Sequence, residues 1–244
     1  MRARDGGAGA SAWARYRLLS GEYRHERIVL RLLLTVAAGT VVAGFIEVPA
    51  GVAVGAILFC AHTIYVRNRP GPVTSWRLGA QAERRTGRRL ATLERGAYRV
   101  LHDRALPDAP ATNLDHLVVG ITGVYAVGSR RWSPGVRLWA DHRRVWAGGS
   151  SLASLHAATA RAARTVSEAL GVEVVAVVAV HGARLPRAGL RFGEVEYQRV
   201  RALAGFIRDH PVVFTSAQVE TITAAAEELL PPMQEPYRFG ETGR

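Results

Sequence analysis

Residues 113–132, NLDHLVVGITGVYAVGSRRW, decide the fold. Two short apolar runs, LDHLVVGI and GVYAVGSR, flank Thr122-Gly123, a tight-turn signal, so the stretch predicts an antiparallel β-hairpin. An aspartate, Asp115, stands early in the first strand. Gly128-Ser129-Arg130-Arg131 closes the second. A charged side chain at the start of an otherwise buried strand, facing an arginine exit, is a feature that packing alone does not require.

Working upstream, YRVLHDRAL (98–106) predicts one more strand, and PDAPATN predicts a loop between it and the hairpin. Before that, SWRLGAQAERRTGRRLATLE predicts a helix in which Leu78, Ala82, Leu90 and Leu93 share a face and arginines lie opposite. Downstream, GVRLWADHRRVWAGG predicts a second hairpin turning near Asp141-His142. Ser150 or Ser151 is positioned to cap the helix SLASLHAATARAARTVSEAL, which Gly171 terminates. VEVVAVVAVHG (172–182) is unbroken apolar sequence from Val174 to Val180, the pattern of a central strand covered on both faces. VEYQRVRALAGFIRDH and TSAQVETITAAAEELL read as two terminal helices. This order of elements predicts an α/β domain, a mixed sheet flanked by helices, over residues 77–230, followed by a loose tail at 231–244.

A different physics governs the N-terminal part. Residues 28–66 are apolar and divide at Glu47 into spans 28–46 and 48–66. Nineteen helical residues rise ~28 Å, close to the ~30 Å hydrocarbon core of a bilayer. Arg31 sits where it can snorkel to headgroups, and His62 and Tyr65 fall at interfacial depth. Arg15, Arg17, Arg24 and Arg27 precede the first span, and Arg67, Arg69 and Arg77 follow the second. The positive-inside rule then puts both termini in the cytoplasm of a two-pass inner-membrane protein. A cleaved signal peptide fits poorly, because two apolar segments follow a long leader. A buried hairpin of a soluble protein is the other alternative. Gly51 and Gly55 form a small-xxx-small pair suited to close helix packing. Residues 1–27 read as a partly disordered segment, with an amphipathic lead-in to the membrane, and 67–76 as a Pro/Gly linker.

Composition narrows the function. The 244 residues carry a formal charge of +12, and every basic residue is arginine. Such an excess suits anionic partners, nucleic acid or lipid headgroups. A single cysteine, Cys60, excludes an intrachain disulfide and a cysteine zinc site. Neither a P-loop nor a G-x-S-x-G elbow is present.

Residues 76–182 resemble the nuclease-related domain, NERD, a branch of the PD-(D/E)XK nuclease superfamily. GAQAERRTGRRLATL, YRVLHDRALP, NLDHLVVGITGVYAV and VWAGG carry the resemblance. Asp-His-Leu-Val-Val followed by Gly-Val-Tyr-Ala-Val is its most specific part. The resemblance implies a restriction-endonuclease-like fold. It also implies an active site in which an aspartate and a second acid hold Mg²⁺ while a lysine attends the nucleophilic water. Asp115 matches the aspartate and Glu83 the family's helix glutamate. The second acid's position holds Gly128, and the lysine's holds Arg130. Two of three hallmark groups are therefore changed. Asp115, the one candidate metal ligand of the hairpin, is expected to pair with Arg130 across it.

The expectation is a membrane-anchored NERD-like binding or scaffold module that does not cleave and needs no cofactor. Membrane lipids, nucleic acid and membrane proteins are its candidate partners, and no small-molecule substrate is expected. The alternative is a membrane-tethered, Mg²⁺-dependent nuclease whose missing acid has migrated to Glu83, Asp103 or Asp108. Arg84, Arg85, Arg88, Arg89 and Arg131 are the candidate contacts to nucleic acid or lipid. The arginines of the two hairpins interleave with Trp132, Trp139 and Trp146. This suits a nucleic-acid groove, but tryptophans packing the sheet is the favoured reading. His102 and His116 lack metal-ligand spacing and read as packed or solvated.

Overall fold

The computed structural model describes residues 7–22, 24–68, 72–94, 96–107 and 109–233. The chain forms two compact units. One is Trp13–Arg77, and the other joins the N-terminal residues up to Ala12 to Leu78–Arg244.

The first unit is helical. Helix α1 (Ala10–Glu22) corrects the expectation of disorder before residue 28 from Ala10 onward, since its run of Ala, Arg and Leu is strongly helix-forming. Helices α2 (Arg24–Phe45) and α3 (Val48–Asn68) pack as a hairpin, with Pro49 in the first turn of α3, where its missing N–H costs nothing. Their backbones meet at glycines. A Cβ on Gly39 would stand 2.9 Å from the Gly51 carbonyl oxygen, and one on Gly55 3.3 Å from that of Thr35. Both helices are long and apolar enough to cross a membrane, over Ile28–Phe45 and Val48–Tyr65. The core helix of a soluble protein would be mostly buried, whereas none of the first span and 6% of the second is buried. Because α3 runs to Asn68 and helix α4 (Pro72–Leu90) starts at Pro72, residues 67–68 and 72–76 of the expected linker 67–76 are helical, and 69–71 lie outside the described residues.

In the second unit, strands β1 (Tyr98–Leu106), β2 (Ala109–Gly120) and β3 (Gly123–Arg131) form an antiparallel meander. Strand β7 (Val174–His181) then pairs parallel with β3, and β9 (Val195–Arg199) parallel with β7. Strand β8 (Leu190–Phe192) closes the edge, giving the order β1-β2-β3-β7-β9-β8. A small antiparallel sheet comprises β4 (Leu138–Ala140), β5 (Val145–Ala147) and β6 (Ser150–Ser151). Helix α5 (Ala153–Leu170) makes the β3-to-β7 crossover and ends at Gly171 with φ +65°. Helices α6 (Leu203–Arg208) and α7 (Ser216–Leu229) follow, and Thr215 caps α7 with a full capping box.

The core has two layers, one on each face of the large sheet. Leu117, Val119, Val124 and Ala126 pack with α5 and α7; Val118, Tyr125, Val127 and Val177 pack with α4 and α6. β7 supplies both layers, as its unbroken apolar run predicts.

Several expected elements are corrected. Of the expected loop PDAPATN, residues 109–113 are the start of β2, with Ala109 paired to Leu106 and Asn113 to Ala105, and Asp108 lies outside the described residues. Residues 195–199 are strand, because Val195 and Tyr197 alternate into the core while β9 pairs with β7; only 203–208 of that segment are helix. Ser150 and Ser151 pair with β5 and the N-cap position falls on Leu152, while Ser151 Oγ still accepts from the Ala153 N–H of the first turn of α5 at 3.3 Å. The tail is not loose at its start: Ala105 N–H donates to Pro231 O at 2.9 Å and Met233 N–H to Asp103 O at 2.7 Å. These contacts cover the open edge of β1, an edge that would otherwise invite aggregation. The rest of the tail, 234–244, lies outside the described residues.

Candidate functional site

The site grows from the register of three strands and one helix. The last ladder pair between β2 and β3 is His116↔Val127, so one step further sets Asp115 opposite Gly128. Pairs His102↔His116 and Arg104↔Leu114 likewise bracket Asp103 and Asp115 as cross-strand neighbours. Two like charges opposite one another are unfavourable. The backbone relieves this by leaving the ladder: Asp103 has φ +52°, the one non-glycine residue with positive φ among those described. Backbone strain of this kind concentrates at functional sites.

On α4 the buried face is Glu83, Thr86, Gly87 and Leu90, spaced i, i+3, i+4 and i+7, together with Ala80 and Ala82. Ala82, Leu90 and Leu93 of the expected face are buried, Leu78 is half-buried, and Glu83 and Thr86 are inside as well. Three carboxylates therefore lie buried near one another: Glu83, Asp103 and Asp115.

Two of the three are already committed. Asp115 Oδ2 accepts from the Ser129 N–H at 2.6 Å and from Arg130 Nη1 at 3.4 Å, the expected ion pair. Asp103 accepts from Ser11 N–H at 2.8 Å, Ser11 Oγ at 2.8 Å and Asn113 Nδ2 at 3.0 Å. Glu83 Oε2 has no hydrogen-bond partner among the described residues. Burial, then the charges of Asp115 and Asp103, push the Glu83 carboxyl up to about 9, against the pull of Arg130. Asp115 is also raised by burial, but Arg130 and the Ser129 N–H favour its ionised form. Of this coupled pair, Glu83 is the member that keeps its proton at neutral pH.

Beneath the carboxylates runs a buried polar chain. His102 Nδ1 meets His116 Nδ1 at 2.8 Å. His116 Nε2 lies 3.4 Å from Ser129 Oγ, which donates to Thr86 Oγ1 at 2.8 Å. Thr86 Oγ1 stands 2.9 Å from His181 Nε2. The chain ties β1, β2, β3, α4 and β7 together. Burial drives the His116 ring down to about 3, aided by His102 and His181, and the His181 ring down to about 4, aided by Arg85 and Arg131.

The expected basic residues divide. Arg85, Arg88, Arg89 and Arg131 line one cavity of about 640 Å³ with His181 and Arg201. Arg84 is exposed on α4 outside it. The hairpin tryptophans serve packing in part. Trp132 lies against the core, while Trp139 stacks on Trp146 at 5.8 Å, and Trp146 Nε1 bonds Asp141 at 2.8 Å. Sequence reasoning missed Ser11, Thr86, His181 and Arg201. A threonine three residues after Glu83 was the available signal for the second, and a polar end to an all-apolar strand for the third.

A mixed sheet whose central hairpin bears a buried aspartate, backed by a helix glutamate, is the arrangement that the resemblance to a nuclease-related domain implies. Residues 78–181 match the family model of the nuclease-related domain, NERD. No curated protein and no solved structure matches the chain. A nuclease of this architecture uses Mg²⁺, which takes about six hard oxygen ligands. The donor set here does not fit one. Gly128 offers no side-chain oxygen, Asp115 and Asp103 are occupied as above, and burial pushes the Glu83 carboxyl toward its neutral form. Among the described residues no three His, Cys, Asp or Glu side chains converge on one point; Asp108 lies outside those residues.

Proposed function

We propose that this chain is a membrane-tethered, nuclease-fold module that binds nucleic acid on its arginine surface without cutting it. The observation that carries the reading is at Gly128. It lies opposite Asp115, where the fold's second carboxylate belongs, and a Cβ there meets nothing within 4 Å. The space for an acid persists while the acid is missing, and an arginine holds the remaining aspartate. Binding by phosphate contact needs only the guanidinium surface. The two apolar helices supply the tether, and the arginines at their flanks favour a cytoplasmic domain with both termini on that side. In this position the module would hold nucleic acid near the membrane, as a scaffold does.

The test uses the full chain in detergent micelles with single- and double-stranded DNA and RNA, in Mg²⁺ or Mn²⁺, beside an Asp115→Asn variant prepared identically. The expected result is no cleavage by either, and binding that weakens steeply as salt rises. Cleavage by the parent alone would establish the nuclease alternative. Absence of both cleavage and binding would leave only a protein-scaffold role.

A further inference from the structure

The cavity beside α4 has features that a general basic surface lacks. Arg85, Arg88 and Arg89 are spaced i, i+3 and i+4, so one helical face presents all three. Arg131 is the last residue of β3, His181 the last of β7, and Arg201 follows the end of β9. These three strands are parallel, and the cavity lies at their carboxyl ends, the position at which open α/β sheets bind ligands. None of the five arginines has an ion-pair partner among the described residues, and no carboxylate lines the cavity.

Helix-terminal arginines have an ordinary explanation, since cations favour the carboxyl end of a helix. That accounts for Arg88 and Arg89 on the last turn of α4. It does not account for Arg131 and Arg201, which arrive from two strands at the same hollow. The floor is fixed as well. His181 is tied through Nε2 to Thr86, and Gly182, at φ +81°, lies where a Cβ would strike the Trp132 carbonyl. A volume of about 640 Å³ is ample for a small ligand and much larger than one phosphate needs.

We infer that this cavity is a discrete site for a compact polyphosphate group, two or more contiguous phosphates held by Arg85, Arg88, Arg89, Arg131 and Arg201. Guanidinium forks match phosphate oxygens in pairs, and five of them suit a ligand of higher charge density than the single negative charge of a phosphodiester. Free nucleotides and the triphosphorylated 5′ end of an RNA strand both present this chemistry. The inference goes beyond nucleic-acid binding, because it assigns a concave site with its own ligand.

The experiment is calorimetric titration of the full chain in detergent micelles with inorganic tripolyphosphate and, separately, with orthophosphate. Tripolyphosphate should bind at least about tenfold more tightly. Arg88→Ala/Arg131→Ala, and independently Arg201→Ala, should weaken it about tenfold or more, with the circular dichroism spectrum unchanged. Arg161→Ala/Arg187→Ala, which removes the same charge from exposed positions outside the cavity, should leave it unchanged. Equal affinity for orthophosphate, or equal loss in that control, would overturn the site. Competition by ATP but not by 5′-triphosphorylated RNA assigns the free nucleotide, and the reverse assigns the strand end. Tripolyphosphate binding without any binding of DNA or RNA keeps this inference and removes the reading above. Nucleic-acid binding without tripolyphosphate binding does the opposite.

Discussion

Replacing Glu83 by Gln tests the electrostatic state of the site directly. The Glu83 carboxyl titrates at about 9 in the folded chain against an ordinary 4.5. Below pH 4.5 it is neutral in both states and costs nothing. Between 4.5 and 9 the unfolded chain releases the proton while the folded chain retains it, so stability falls as pH rises and the loss is complete above 9. Each pH unit in that window is worth about 1.4 kcal/mol, so from pH 5 to pH 8 the penalty grows by about 4 kcal/mol. Glutamine cannot ionise and escapes the whole pH-dependent part. Its buried amide adds a fixed cost of ~1–3 kcal/mol if left unpaired, which shifts the difference curve without changing its slope. The assay is urea unfolding of the full chain in micelles, followed by tryptophan emission at a series of pH values. The variant should gain on the parent steadily from pH 5 to 8, and millimolar Mg²⁺ should not alter the gain. A difference independent of pH would refute the buried, protonated glutamate. A difference abolished by Mg²⁺ would show Glu83 ionised on a metal.

The remaining predictions concern other parts of the chain. Gly128→Glu restores a second carboxylate in open space opposite Asp115; it should create Mn²⁺ binding detectable by electron paramagnetic resonance, lost again in Gly128→Glu/Asp115→Asn. His116 and His181 titrate at about 3 and about 4 when folded, below the usual 6.5. Because the unfolded chain then binds more protons, the stability they confer is present above pH 6.5 and is lost as pH falls. Between 4.5 and 6.5 their combined slope, about 2.7 kcal/mol per unit, is half cancelled by Glu83, so acid unfolding should be about twice as steep in Glu83→Gln. In the helical hairpin, Gly51→Leu drives a side chain into Gly39 and Ala43, whereas a Cβ at Gly44 meets nothing within 4 Å. Gly51→Leu should lower stability by ~1–3 kcal/mol, read as loss of helical circular dichroism on heating in micelles, and Gly44→Leu should not.

The sequence by itself determined whatever depends on local pattern. Unbroken apolar length gave the two long helices, alternation gave the hairpin at 113–132, and Gly171 ended α5 in the left-handed conformation that glycine favours. The approach of Asp115 to Arg130 was also legible, since cross-strand register follows from the turn. Tertiary structure decided the rest. VEYQR looks helical until β7 offers it a buried parallel edge, and APATN looks like a loop until Ala109 and Asn113 pair with β1. Nothing near Asp103 in the sequence points to Ser11, which reaches it from 92 residues away. The arginine cavity is the clearest case. Its five arginines and His181 come from one helix and three strand ends, and only the parallel order β3-β7-β9 brings those ends to one place. Periodicity assigns a residue to a face, but which faces and ends meet depends on long-range pairing, which a local pattern does not encode.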